Sequence, residues 1–193
     1  MGGIRLKCDS MDTLLEMYRQ GTPIKYVFFW GHRPESDGRI TESCLSQWWN
    51  CSFQVKNRTY HTAEQYMMAQ KALLFKDEKI FKRIMEANHP GEYKRLGREI
   101  VNFSDKIWKQ HRMRIVVEGN CAKFSQNPEL KAFLLSTKDR VLVEASPRDR
   151  IWGIGMSKSN PQIENPTAWK GLNCLGFALM QARDLIAQSD EIV

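Results

Sequence analysis

Two side chains seven positions apart, Glu64 and Lys71 in the stretch TAEQYMMAQKA (62–72), are of types that perform acid–base or nucleophilic chemistry. A helix turns about 100° per residue, so Lys71 returns to within roughly 20° of Glu64, with Met67 and Met68 between them. A stripe of that spacing ordinarily faces a core, where ions are seldom left without partners because desolvation is costly. Either the stripe meets solvent or the two groups act. An amine attacks carbon only when neutral, and with a reference pKa of ~10.4 only about one lysine in a thousand is neutral near neutral pH. Apolar neighbours such as Met67 and Met68 lower that pKa while Glu64 raises it, so two effects oppose each other at this pair.

Further along, EASPRDRIWGIG (144–155) ends a strand in Pro147 and delivers Asp149 on a turn beside Trp152 and Gly153. The run IWKQHRMR (107–114) sets Trp108 among Lys109, Arg112 and Arg114, a combination suited to stacking on a nucleobase while a cation holds phosphate. Taken singly, each has a plain structural explanation. A carboxylate in a first helical turn suits the macrodipole, a lysine can snorkel, and a basic run can be the solvated face of a helix.

The elements that must position these groups are legible as an α+β pattern, a single mostly helical domain with a small β-sheet. Ser10 caps a helix to Gln20, stopped by Gly21 and Pro23, and IKYVFFW (24–30) reads as a buried strand. Residues 31–43 are dense in Gly, Pro, Ser and charge and read as loop, and 52–60 reads as a hairpin turning at Asn57-Arg58. Thr62 and Gln65 form a capping-box pattern for a helix to about Phe75. Another helix spans 78–87 and ends before His89-Pro90-Gly91. Ser104 opens a long helix to about Lys123, Pro128 begins the next, and RVLVEA (140–145) is β-rich. The segment 153–171 is a long loop of the functional kind, and a final helix runs from 172 or 173 to about Ala187 with Leu175, Leu179, Ala182 and Ile186 on one side. The division expected is a helical extension over 1–23 and one domain over 24–193.

With 193 residues, 42% hydrophobic and 26% charged, the chain has the composition of a folded domain with a real core. No run approaches the ~18 apolar residues of a membrane span, and the opening MGGIRLKCDS lacks a signal-like apolar region, so a cytoplasmic protein is expected. Five cysteines with no C-x-x-C pair suit reduced thiols, and four histidines form no metal-site spacing, so neither metal nor cofactor is expected. A formal net charge of +7 favours anionic partners, and no RRM, KH or zinc-finger signature marks a general nucleic-acid module.

Five blocks in order, FFWG, TAEQYMMAQKALLF, VNFSDKIWKQHR, AKFSQNPELKAFLLST with VLVEASPRDRIWGIG, and WKGLNCLG, together resemble the NADAR family, the YbiA-like N-glycosidases. The resemblance runs from about Phe28 to Arg183 and implies a YbiA-like fold that cleaves the bond between ribose C1 and an exocyclic amine of a base. The substrates it implies are ADP-ribosylated guanine in nucleotides or DNA, or the ribosylamino-pyrimidine phosphates of riboflavin biosynthesis. No obligate protein partner is implied. Glu64, Trp108, Asp149 and Trp152 fall on the family's functional positions, Lys71 on the lysine of its E-x₆-K helix, and Trp30, followed by Gly31, where the family has an aromatic. Glu64, Lys71 and Asp149 are thus the catalytic candidates. Trp30, Gly31, Trp108, Trp152 and Gly153 are candidates for holding base or ribose, and Arg112 or Lys123 for phosphate. Two routes stay open, carboxylate-activated water and an imine formed by Lys71. The loops 31–43 and 154–170 exceed those of the shorter family members and leave substrate choice open. A reader of ADP-ribose or nucleic acid that cleaves nothing is the competing class, opposed by the joint presence of Glu64, Lys71 and Asp149.

Overall fold

Local chemistry sets most element boundaries in the computed structural model, which describes residues 8–191. Ser10 accepts from the Thr13 amide at 3.2 Å and opens α1 (Met11–Arg19). The apolar run that follows forms β1 (Tyr26–Phe29), shorter than the seven-residue strand expected. Residues 1–7 of the expected N-terminal extension lie outside the described residues. Leu14 of α1 is fully buried in the same apolar core as β1.

The hairpin joins β2 (Phe53–Val55) to β3 (Arg58–Tyr60), pairing Val55 with Arg58. Its turn is Lys56-Asn57, both at positive φ (49° and 61°), one residue earlier than expected. A two-residue hairpin needs two left-handed residues to match the twist of its strands. Thr62 then caps α2 (Ala63–Leu74) through the Gln65 amide at 3.0 Å, while Gln65 reaches back to accept from the His61 amide at 2.8 Å.

α3 (Glu78–Glu86) ends before His89-Pro90-Gly91, as expected. That tripeptide then opens α4 (Pro90–Leu96), a helix outside the sequence reading, with the His89 side chain accepting from the Gly91 amide at 3.1 Å. Proline is tolerated at a first helical position because its missing N–H has no partner there in any case. The long α5 (Asp105–Ser125) follows, capped by Ser104, then α6 (Pro128–Ser136), β4 (Val141–Glu144) and α7 (Cys174–Glu191), the last ending four residues beyond the expected Ala187. Short 3₁₀ turns at Glu42–Leu45 and Pro166–Ala168 punctuate the two long loops.

The sheet has two parts among the described residues, the β2–β3 hairpin and a parallel pair in which Tyr26 faces Val141 and Phe29 faces Glu144. α5 crosses the interior, packing on α2 and α7, and α7 lies against β4. Gly176 permits that approach, since a Cβ there would stand 2.0 Å from the Leu142 carbonyl oxygen. Just before α7, Asn173 takes φ +50° and substitutes for a neighbouring strand. Its side-chain Nδ2 donates to Leu142 O at 2.9 Å and its Oδ1 accepts from the Glu144 amide at 3.0 Å. The carboxyl end of β4, and the turn leaving it, are thereby fixed against the first turn of α7. None of the described helices is long and apolar enough to cross a membrane.

Candidate active site

The carboxyl end of β4, α2, the end of α4, the start of α5 and the turn at 149–152 surround a cavity of about 260 Å³. Glu64, Lys71, Asp149, Trp108 and Trp152 all line it, drawn from three separate parts of the chain. The Glu64–Lys71 stripe faces inward, with Met67 and Met68 in the same wall.

Glu64 is 4% exposed. Its amide donates to Gln47 O at 2.9 Å, which fixes the first turn of α2 against the 44–48 segment. Burial pushes its carboxyl up to about 7, against the charge of Lys94, with the like charge of Asp149 adding to the rise.

Lys71 is half-buried. Its amine donates to Gly97 O at 2.6 Å and lies 4.3 Å from the centre of the Phe103 ring and 5.7 Å from that of Trp108. Burial lowers its pKa, opposed by Glu64 and assisted by Arg98. In the contest between apolar surroundings and the neighbouring carboxyl, desolvation prevails.

Asp149 is set by its own turn. Its Oδ1 accepts from the Ile151 amide at 2.8 Å and the Trp152 amide at 2.7 Å, and its own amide donates to Ser146 Oγ at 3.2 Å. This Asx-type closure aims Trp152 at the cavity. The Arg112 guanidinium sits 5.9 Å from the Trp152 ring centre and donates to Cys174 Sγ at 3.7 Å, so it backs the indole from outside the cavity lining.

Four of the other residues singled out in the sequence stand elsewhere. Lys123 is 0% exposed, and its amine donates to Cys44 O at 2.7 Å and Ser46 O at 2.9 Å. It is no phosphate ligand. It ties α5 to the segment that carries Gln47 and Trp48 into the cavity wall, and its burial lowers its pKa. Trp30 is 62% exposed and, with Gly31 at φ +88°, lies outside the lining. Gly153 serves close packing, because a Cβ there would meet Glu144 O at 2.8 Å, and the 149–152 turn could not then rest on the end of β4.

Among the lining residues not singled out in the sequence are Trp48, Lys94, Arg98 and Glu144. Lys94 and Arg98 are exposed cations on α4 and just past it, at one rim, in and beside a helix for which the sequence reading gave no element. Glu144 is the last residue of β4, and its Oε2 is sealed from solvent with no hydrogen-bond partner among the described residues. Burial pushes its carboxyl up to about 8, with Asp149 and Glu64 adding to the rise. A signal for it existed, since ligands gather beyond the carboxyl ends of parallel strands.

The arrangement thus combines three carboxyl groups and a half-buried amine inside, indoles around them and cations at the mouth. It can move protons, offer a nucleophile and stabilise positive charge on a sugar carbon.

The NADAR domain matches residues 28–187. The chain is 44% identical over 165 residues to N-glycosidase R617 of Acanthamoeba polyphaga mimivirus, covering 83% of this chain and 95% of that protein. It is 34% identical over 134 residues to N-glycosidase YbiA of Escherichia coli, covering 69% and 75%. The NMR structure of E. coli YbiA superposes with a TM-score of 0.69 at 28% identity, over 86% of this chain and 88% of that one. From the matched domain, the relatives and the shared fold, the chain belongs to the NADAR domain family and is an N-glycosidase, a hydrolase of N-glycosyl bonds.

Proposed function

We propose that this N-glycosidase removes ADP-ribose from ADP-ribosylated guanine, in nucleotides or in nucleic acid, through an imine on Lys71. The observation that carries the reading is the meeting of Lys71, Glu64 and Asp149 around one cavity whose rim holds Lys94 and Arg98. Cleavage at ribose C1 builds positive charge on that carbon, so negative charge beside it lowers the barrier. Asp149, held as an acceptor by two amides, supplies that charge.

Lys71 supplies the nucleophile. Its nitrogen bonds to C1 while the C1–N bond to the base breaks, and the bonding pair leaves with the base nitrogen. The attached amine loses a proton to Glu64, the sugar ring opens to an imine, and water then returns the free amine and the sugar. The lowered pKa of Lys71 raises its neutral fraction, and that of Glu64, near 7, suits a group that takes and returns a proton at neutral pH.

Substrate choice rests on charge and shape. The cations at the rim, with the net charge of +7, favour a substrate with phosphates outside the reacting sugar. Trp108, Trp152 and Trp48 offer aromatic faces for ribose or base. The Arg112 guanidinium reaches phosphate only beyond the Trp152 indole.

The test is incubation with an ADP-ribosylated guanine oligonucleotide, in parallel with a ribosylamino-pyrimidine phosphate, followed by mass spectrometry. Free ADP-ribose with the guanine of the oligonucleotide restored to its unmodified form, and a borohydride-trapped sugar on Lys71, are expected. Cleavage of the pyrimidine compound alone would move the substrate to the riboflavin intermediates. Binding with no cleavage of either would favour a reader. Activity retained in Lys71→Ala with no adduct would replace the imine by carboxylate-activated water.

A further inference from the structure

We propose that Glu144 is the acid that protonates the departing amine, a role that rests on the N-glycosidic reading of the cavity given above. An exocyclic amine leaves poorly as an anion, so the reaction needs a proton donor at the base side of C1, and neither Lys71 nor Asp149 is suited to supply it. Asp149 spends one oxygen as an acceptor of two amides, and Lys71 is the nucleophile.

Glu144 is held rigidly enough for the task. Its amide donates to Asn173 Oδ1 at 3.0 Å, its carbonyl accepts from the Ile154 amide at 3.0 Å, and its Cα pairs with Phe29 across the sheet. The backbone is therefore pinned on three sides while the side chain lines the cavity. Among the described residues, Glu144 alone of the three carboxyl groups there has a solvent-sealed oxygen without a partner.

An ionised carboxylate with such an oxygen lacks the donors that would offset its desolvation, whereas the neutral acid carries a proton to give. The surroundings act in the same direction. The charged and titratable groups facing this space are Glu64 and Lys71 on α2, Lys94 on α4, Arg98 just past it, and Asp149 on its turn, with Arg112 of α5 and Cys174 of α7 behind that turn. Burial dominates, the two other carboxyl groups add to it and Lys94 opposes it, leaving Glu144 protonated at neutral pH with a carboxyl near 8. Glu64, near 7, is the weaker holder of a proton of the two. Two carboxyls with environments of unequal strength divide the roles of acid and base.

The protons balance. As the C1–N pair moves onto the base nitrogen, that nitrogen takes the Glu144 proton and leaves as a neutral amine. Glu64 takes the proton shed by the attached Lys71. Hydrolysis of the imine places the water oxygen on C1, and the proton held by Glu64 passes back through water to Glu144. One water is consumed and both carboxyls return to their starting state.

The experiment compares wild type with Glu144→Gln and Glu144→Asp on ADP-ribosylated guanosine phosphate and on a ribosylamino-pyrimidine phosphate, measuring cleavage of the bond between ribose C1 and the exocyclic amine across pH. For Glu144→Gln, kcat should fall about 10²- to 10⁴-fold with KM within about threefold, and the loss of wild-type kcat above pH 8 should vanish from what activity is left. Glu144→Asp should recover part of the rate. A Glu144→Gln rate within about threefold of wild type, or an unchanged alkaline limb, overturns the role of Glu144 alone. A wild-type chain that cleaves neither compound overturns the reading beneath it as well. Infrared titration of the Glu64→Gln protein, with ¹³C-labelled glutamate, needs no change at position 144. A protonated carboxyl persisting at pH 7 is expected, and its absence overturns the proposal even if Glu144→Gln fails to fold.

Discussion

The amine of Lys71 donates to the Gly97 carbonyl across 2.6 Å, which ties the nucleophile candidate on α2 to the residue that closes α4. The same amine lies over the Phe103 and Trp108 rings, so it is positioned by three groups that none of its sequence neighbours supplies.

Lys71→Met keeps the stem and removes the nitrogen. The fold should persist, with a stability change within about 1–2 kcal/mol, because one half-buried hydrogen bond is lost. Turnover should fall at least ~10³-fold and the borohydride adduct should disappear, read by thermal melting and by mass spectrometry.

Glu64 gives a pH signature. Its folded-state pKa, about 7, stands above the ordinary value of 4.5, so the folded chain holds that proton more tightly than the unfolded one. Its contribution to stability is fully present below pH 4.5 and is lost as pH rises through about 7. Glu64→Gln does not titrate, so its melting temperature relative to wild type should rise between pH 5 and pH 8, by something of order 5 °C. A constant difference across that range would contradict the burial assigned to this carboxyl.

Asp149→Asn tests charge apart from geometry. An asparagine oxygen can accept from the Ile151 and Trp152 amides as the aspartate does, so the turn should survive. The negative charge beside C1 would be gone, and kcat should fall by about 10² or more with the melting temperature little changed.

Lys94 and Arg98 test the phosphate rim. Replacing both by alanine should raise KM about tenfold, reduce its dependence on salt, and change kcat less than KM. Steady-state kinetics at two ionic strengths reads all three.

Lys123 tests a purely structural ion. Lys123→Met leaves the Cys44 and Ser46 carbonyls without their donor, at a cost of about 2–4 kcal/mol, visible as a melting temperature lower by about 10 °C. Activity should decline with it, through the 44–48 segment and not through a lost phosphate contact.

Local rules reach most of the helices and stop where partners are distant. Ser10, Thr62 and Ser104 each cap the helix their spacing implies, because a cap needs only an amide three residues away. Pro90 marks the end of α3 correctly, but the same residue also begins α4, and with that helix unassigned Lys94 and Arg98 stayed out of view. Glu144 reads as the polar member of an alternating strand, yet Val141, Leu142 and Val143 are all buried, and only the pairing with β1 and the cover of α7 explain that. Lys123 looks like one more cation on a basic helix, because its two carbonyl partners lie 77 and 79 positions away. Gathering of Glu64, Lys71 and Asp149 follows from the family resemblance and the spacing on α2, while the wall that joins them depends on contacts no local pattern encodes.

The parallel pairing of β1 with β4 sets when this protein can work. Residues 30–140 separate the two strands, so β1 leaves the ribosome long before its partner exists. Closing so wide a loop is entropically slow, and Glu144, Asp149 and the first turn of α7 come after it in the chain. The nascent chain therefore carries its amine and first carboxyl without a chamber around them until β4, the 149–152 turn and the start of α7 have emerged, and hydrolytic competence waits on that later segment.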